Sequence, residues 1–200
     1  MVRDISTQYC QSFLGIFWAF LSYEKLLFFI EEEHRNLQHF IRAMTDLAGY
    51  FPFDETVFTE MTDKEIDILD RFIFRFTKTV DSMGKRLFPE ILTVTGERDE
   101  DMFFLDILNR LEKIGILTSV EDWNTYRERR KRLTHEYPET YIDKAAMLTD
   151  AYEKSFNLIR LFERIKKLLA QRVGISMAPY PTPDISMLLH AASVNNNCEQ

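Results

Sequence analysis

The stretch TDKEIDILDRFIFRFTKTVDSMGKRL, residues 62–87, carries the most regular apolar spacing in the chain. Ile66, Leu69, Ile73, Phe76, Val80, Met83 and Leu87 follow one another at steps of three and four, so a helix of 3.6 residues per turn lines them along one stripe. Thr62 with Glu65 three positions on has the form of a capping box, which satisfies backbone donors at a helix start. The spacing predicts a long amphipathic helix with a bundle seam. It predicts an end near Leu87, because Pro89 pushes Phe88 out of the α region.

Outward from this helix the same logic repeats. Residues 99–114 read as a second helix, with acidic residues in its first turn and Phe104, Ile107, Leu108 and Leu111 on one side; Gly115 stands where a C-terminal stop belongs. Ser119 with Asp122 is a further capping match and opens a helix carrying Trp123 and Tyr126, which Pro138 ends or bends. Residues 139–173 have helical composition throughout and meet Gly174 at their end. No strand alternation and no internal repeat interrupts the series, so the expected fold is all-α, an up-and-down bundle of four to five helices. The expected organisation is an apolar helical extension over 1–34, the bundle over 35–173, and a mobile Pro- and Asn-rich tail over 174–200.

The most apolar run, Phe13 to Ile30, has to be read against a bilayer first. Spanning takes about 20 predominantly apolar residues, and here Glu24 and Lys25 interrupt the run. The residues before it lack the basic start and small-residue cleavage pattern of a secretory signal. A buried or partner-covered helix outside the membrane is the expectation. Two cysteines, Cys10 and Cys198, lie near opposite ends with no paired spacing, which fits a reducing, cytoplasmic setting.

The net charge of −7 and a pI near 5.2 argue against indiscriminate binding of nucleic acid, so any such site must be local. One segment is local in this sense: RERRKRLTHEYP, residues 127–138, has cations at five of its first six positions. A basic run of this kind is most simply a solvated helix face. Here a histidine and a tyrosine follow it against a helix-ending proline. Arginine beside histidine suits phosphodiester chemistry, the guanidinium holding phosphate oxygens while the imidazole moves a proton. RNA supplies its own nucleophile in the 2′-OH, and no metal or cofactor is required. Arg130 and His135 are five residues apart, about 140° around a helix. A second subunit across a two-fold axis would let two Arg and two His share one cleft. Other chemistry is weakly represented. Glu31 to His34 contains one Glu-x-x-His without the second copy that a di-metal bundle needs, and it reads as a solvated charge run. His34 and His39 read as surface or capping residues, and no phosphate loop or nucleophile elbow is present.

The run Arg130 to Pro138, RKRLTHEYP, resembles the R-x4–6-H motif of HEPN domains (higher eukaryotes and prokaryotes nucleotide-binding), in the form with Tyr two residues after the His found in HepT-like toxins. The two helices before the motif, RFIFRFTKTVDSMGKRLF and FLDILNRLEKIGIL, are similar in order and character to those of the family. The resemblance covers about residues 35–173. It implies a dimeric helical bundle with metal-independent ribonuclease activity, neutralised by a nucleotidyltransferase antitoxin, in some systems by transfer of AMP to the motif's Tyr. Mapped onto this chain, it implies Arg130 as the phosphate-holding residue, His135 as the proton-transfer residue and Tyr137 as the modification target. The other cations of the run, Arg127, Arg129, Lys131 and Arg132, are expected to contact RNA phosphates. Arg129 also satisfies the loose spacing, so two registers stay open. The position after the Arg, commonly Asn in the family, is Lys131 here, and this favours an alternative in which the chain binds nucleotide for a nucleotidyltransferase without cutting RNA.

Overall fold

The computed structural model describes residues 3–99, 101–135, 140–185 and 188, with the side chains of 3–16 and of 135 outside that description. Its regular elements among these residues are helical: α1 (Arg3–Leu47), a 3-10 turn (Ala48–Tyr50), α2 (Glu55–Glu60), α3 (Asp63–Ser82), a π-helical segment (Met83–Leu87), α4 (Phe88–Val94), α5 (Phe104–Lys113), α6 (Val120–His135) and α7 (Tyr141–Val173). The all-α bundle follows directly. α1 packs along α3 and α4 and touches α7, α6 lies between α3 and α7, and α5 closes the end against α4 and α6.

The α3 seam forms with a small drift. Leu69, Phe76, Val80, Met83 and Leu87 are buried as the spacing requires, but Phe72 and Thr79 join them while Ile66 is exposed and Ile73 half-buried. Seven residues of an α-helix fall about 20° short of two full turns, so over several turns the buried stripe slides to neighbouring positions. Phe40 of α1 meets Phe72 and Phe76 at ring centroid distances of 5.6 and 6.2 Å, and Tyr152 of α7 stacks on Phe51 at 3.7 Å while its hydroxyl donates to the Met44 carbonyl. Each such aromatic, fully removed from water, contributes about 1.5–3 kcal/mol, which makes this cluster the centre of the bundle.

Three expected boundaries move. The helix does not stop at Leu87: the chain widens into one π turn, in which the Phe88 N–H donates to the Met83 carbonyl, and continues as α4 with Pro89 at its start. The second helix starts at Phe104, not near Asp99, because the Asp106 carboxylate accepts from the Phe103 N–H and fixes the start there. No boundary falls at residue 34. α1 runs through it, and Leu26, Ile30, Leu37, Phe40 and Met44 form one buried stripe, so the bundle claims the helix from Leu26 onward. Ahead of that point Phe17, Trp18 and Phe20 are exposed, and no helix among the described residues is long and apolar enough to cross a membrane. The described part of the C-terminal segment lies on the bundle: Ile175 and Leu188 are buried, and the Tyr180 carbonyl accepts from Lys166 Nζ at 2.8 Å. Residues 186–187 and 189–200 lie outside the described residues.

Glu31 to His34 is not a solvated run. Glu33 and His34 are buried between α1 and its neighbours; Glu33 accepts from Ser82, and His34 faces Gln38 and the ring of Tyr180. His39 is exposed, as read from the sequence. At the far end of α7, Gly174 has φ +75° with open space around its α-carbon. Gly174→Ala therefore pays only the left-handed backbone cost, and a loss of about 1 kcal/mol in urea unfolding is expected.

Candidate functional site

The π segment decides the geometry around the basic run. It ends α3 with Gly84 turned toward α6, where a β-carbon would stand 3.1 Å from Trp123 Cζ2 and 3.6 Å from Phe104 Cζ. Only a residue without a side chain lets the indole come so close. Above this contact α3, α5 and α6 leave an open cleft of about 570 Å³, bordered by Lys85, Arg127, Arg130 and Lys131, with Asp81 and Glu128 as its carboxylates.

Within the basic run the structure separates two faces. Arg130 turns to α3 and donates to Asp81 Oδ2 at 2.7 Å; Lys85 Nζ lies 3.4 Å from the same oxygen. Arg129 turns the other way and is held by Asp150 of α7 at 2.5 and 2.8 Å, with a further bond to the Thr125 carbonyl. Of the two registers the sequence left open, only that of Arg130 opens onto the cleft. Arg127 lies over the Phe104 ring at 4.8 Å and reaches Asn124. Lys131 and Arg132 are exposed. The five cations therefore do not form one surface: Arg127, Arg130 and Lys131 line the cleft, whereas Arg129 is a strut between helices.

His135 is the last residue of α6. By helical register its position falls within about 20° of those of Asn124 and Glu128, on the cleft side. The cleft borders an arc of α6 from Arg130 to Glu128, and His135 lies about one turn beyond Lys131 at the end of the helix. Tyr137 lies outside the described residues.

Sequence reasoning missed Asp81, Lys85, Gly84 and Phe104 as parts of this site. Gly84 carried the one available signal, since a lone glycine inside a strong helical pattern marks a close packing contact. Arg130 Nε and Trp123 Nε1 are buried without a hydrogen-bond partner among the described residues. The edge of the indole that carries Nε1 also carries Cε2 and Cζ2, the atoms nearest Gly84. No cluster of three or more His, Cys, Asp or Glu among the described residues is placed to hold a metal ion. Comparison of the chain with family models, with curated proteins and with solved structures gives no match.

Proposed function

We propose that the protein is a HEPN-class endoribonuclease that cuts RNA by 2′-OH attack at an Arg130/His135 site, acting as a homodimeric toxin restrained by a nucleotidyltransferase antitoxin. The supporting observation is that α6 turns Arg130, and not Arg129, into a cationic cleft shared with Lys85, Arg127 and Lys131. In this reading the guanidinium holds the non-bridging oxygens of the scissile phosphate and stabilises their charge as phosphorus becomes five-coordinate. The imidazole of His135 takes the 2′ proton. The 2′ oxygen bonds to phosphorus, the bond to the 5′ oxygen breaks, and that oxygen leaves as a hydroxyl with the proton that the imidazolium gives back. The products are a 2′,3′-cyclic phosphate and a 5′-OH end, and no metal takes part. Asp81 keeps the guanidinium facing the cleft while substrate is absent and gives way to phosphate when it binds. AMP placed on Tyr137, two residues past His135, would set a negative phosphate beside the same Arg and close the cleft by charge and volume.

A second reading, a non-catalytic nucleotide-binding partner of a nucleotidyltransferase, draws on the Arg130–Asp81 pair, which already neutralises the key guanidinium. One experiment separates the two: incubation of the purified chain with total RNA in EDTA, with end-group analysis. Cleavage that survives chelation and leaves cyclic phosphate ends supports the nuclease. Intact RNA, together with nucleotide binding in a parallel titration, supports the binding partner.

A further inference from the structure

On the other side of α6 lies a second groove of about 330 Å³, between the start of that helix and α7. One stripe of α7, Lys154, Asn157, Arg160 and Arg164, forms its wall, and Ser119 and Tyr126 stand opposite. Three cations line this groove in a chain of net charge −7, and none of them is paired to a carboxylate among the described residues. Arg164 is fixed by Thr118 Oγ1 at 2.5 Å and the Gly115 carbonyl at 3.0 Å, and Arg160 by Asn157 at 3.3 Å. Lys154 makes no hydrogen bond or ion pair with the described residues. The carboxylates that would normally quench such a stripe are engaged elsewhere, Asp150 with Arg129 and Glu163 with Lys166. Asp122 is the one acid in the lining. The first N–H groups of α6 are already satisfied by Glu112 and Ser119, so the cations, not the helix terminus, give the groove its charge.

The chemistry that fits is a run of phosphates and not an aromatic ring. Trp123 and Tyr126 are buried and offer no open face for stacking, while Lys154, Arg160 and Arg164 are spread along roughly 15 Å of helix at 1.5 Å per residue, too far apart for one phosphate. Trp123 lines both this groove and the cleft of Arg130, so the two flank α6 at the same level. A helix is about 10–12 Å across, a span that a few nucleotides cover. We propose that the α6–α7 groove is a second phosphate-binding track that holds the backbone of a single RNA strand beyond the cut position. This rests on the ribonuclease reading. It adds that the substrate is a single strand long enough to cross α6.

The test is equilibrium binding of 2′-O-methyl RNA, which lacks the nucleophile and stays intact, to the full chain and to Lys154→Ala/Arg160→Ala. Two probes are used, a ~4-nucleotide strand that fills one site and a ~12-nucleotide strand that reaches both. The long strand should bind the wild-type chain about 10-fold more tightly than the short one, and the double variant should lose that advantage. Its salt dependence for the long strand should become shallower by about 1.4 in logarithmic slope, the share of two phosphate contacts on a single strand. Lys154→Arg/Arg160→Lys, which keeps the charge, should restore both, while a melting curve confirms that each variant is folded. The proposal is overturned if the double variant keeps the length advantage. It is overturned in favour of a free phosphorylated effector if the variant loses affinity for ATP while the advantage persists. Wild-type RNA cleavage with an unchanged length advantage would remove the track and leave the nuclease standing, whereas absence of both RNA binding and cleavage would remove the nuclease as well.

Discussion

RNA cleavage is expected to fall by about 10²- to 10⁴-fold when His135 is replaced by alanine, the range that positioned proton transfer contributes. Arg130→Ala should cost about 10²- to 10³-fold, since it removes the donor that meets charge as it develops on the phosphate. Single-turnover cleavage of a labelled strand measures both without interference from product release. Arg129→Ala is the internal control on register. Its guanidinium is spent on Asp150 and the Thr125 carbonyl, so its loss should show as a lower melting temperature. A dead Arg129→Ala beside an active Arg130→Ala would transfer the catalytic role to the other face of α6 and refute the site as built. Wild-type rates for His135→Ala would refute proton transfer by that residue. Asp81→Asn sharpens the test: with its competitor neutralised, Arg130 should bind phosphate more tightly, and a gain in affinity without a gain in rate would mean that the carboxylate also positions the guanidinium.

The choice between Arg129 and Arg130 shows where sequence reading runs out. Both fit the spacing, and both sit on a helix that the capping residue Ser119 and the apolar pair Trp123 and Tyr126 made recognisable. What separates them is which helix packs on which side. Arg130 is seven residues from Trp123 and shares its α3-facing side, while Arg129 is three from Tyr126 and shares the side that meets α7. Neighbouring helices are a tertiary fact, and a single helix pattern does not contain them. The π turn was hidden for a related reason. Met83 to Leu87 keeps apolar residues at both ends, so it passes for ordinary helix, and only the indole pressed on Gly84 gives the extra residue a purpose.

The buried acid on α1 was legible in principle. Glu33 is three residues after Ile30, four before Leu37 and seven before Phe40, hence in phase with the apolar stripe, although the charges at Glu31 and Glu32 disguise it as surface. Its phase carries it into a polar seam between α1 and α3. Ser82 donates to one carboxyl oxygen, and Asn36, which lies 3.4 Å from the other, bonds to Thr79 at 2.8 Å and accepts from Arg75 at 3.0 Å. A seam of this kind fixes the register of the two helices at the cost of desolvating a carboxyl group.

That cost gives the last prediction, the pH dependence of stability. Burial pushes the Glu33 carboxyl up to about 7 from an ordinary 4.5, against the smaller downward pull of Ser82, Asn36, Thr79 and Arg86. The folded chain therefore keeps this proton through a range in which the unfolded chain has released it. Its favourable contribution is complete below about pH 4.5 and is lost as the pH rises to about 7. The loss is about 3 kcal/mol at 1.36 kcal/mol per pKa unit. His34 acts with the opposite sign in an overlapping window. Burial, helped by Lys166, lowers its pKa, so the unfolded chain binds the proton more readily and this contribution grows as the pH rises toward 6.5. Glu65, drawn down to about 2 by bonds from Tyr50 and Thr62, acts only in more acid solution. Wild-type stability alone would mix the first two effects, whereas the difference between Glu33→Gln and wild type cancels His34 and isolates the glutamate. Urea unfolding at intervals from pH 5 to pH 8 should show the glutamine variant gaining on wild type as the pH rises, with the gain levelling off above about pH 7. Two parallel stability curves would mean that the carboxyl group titrates normally and that the seam between α1 and α3 opens to water around it.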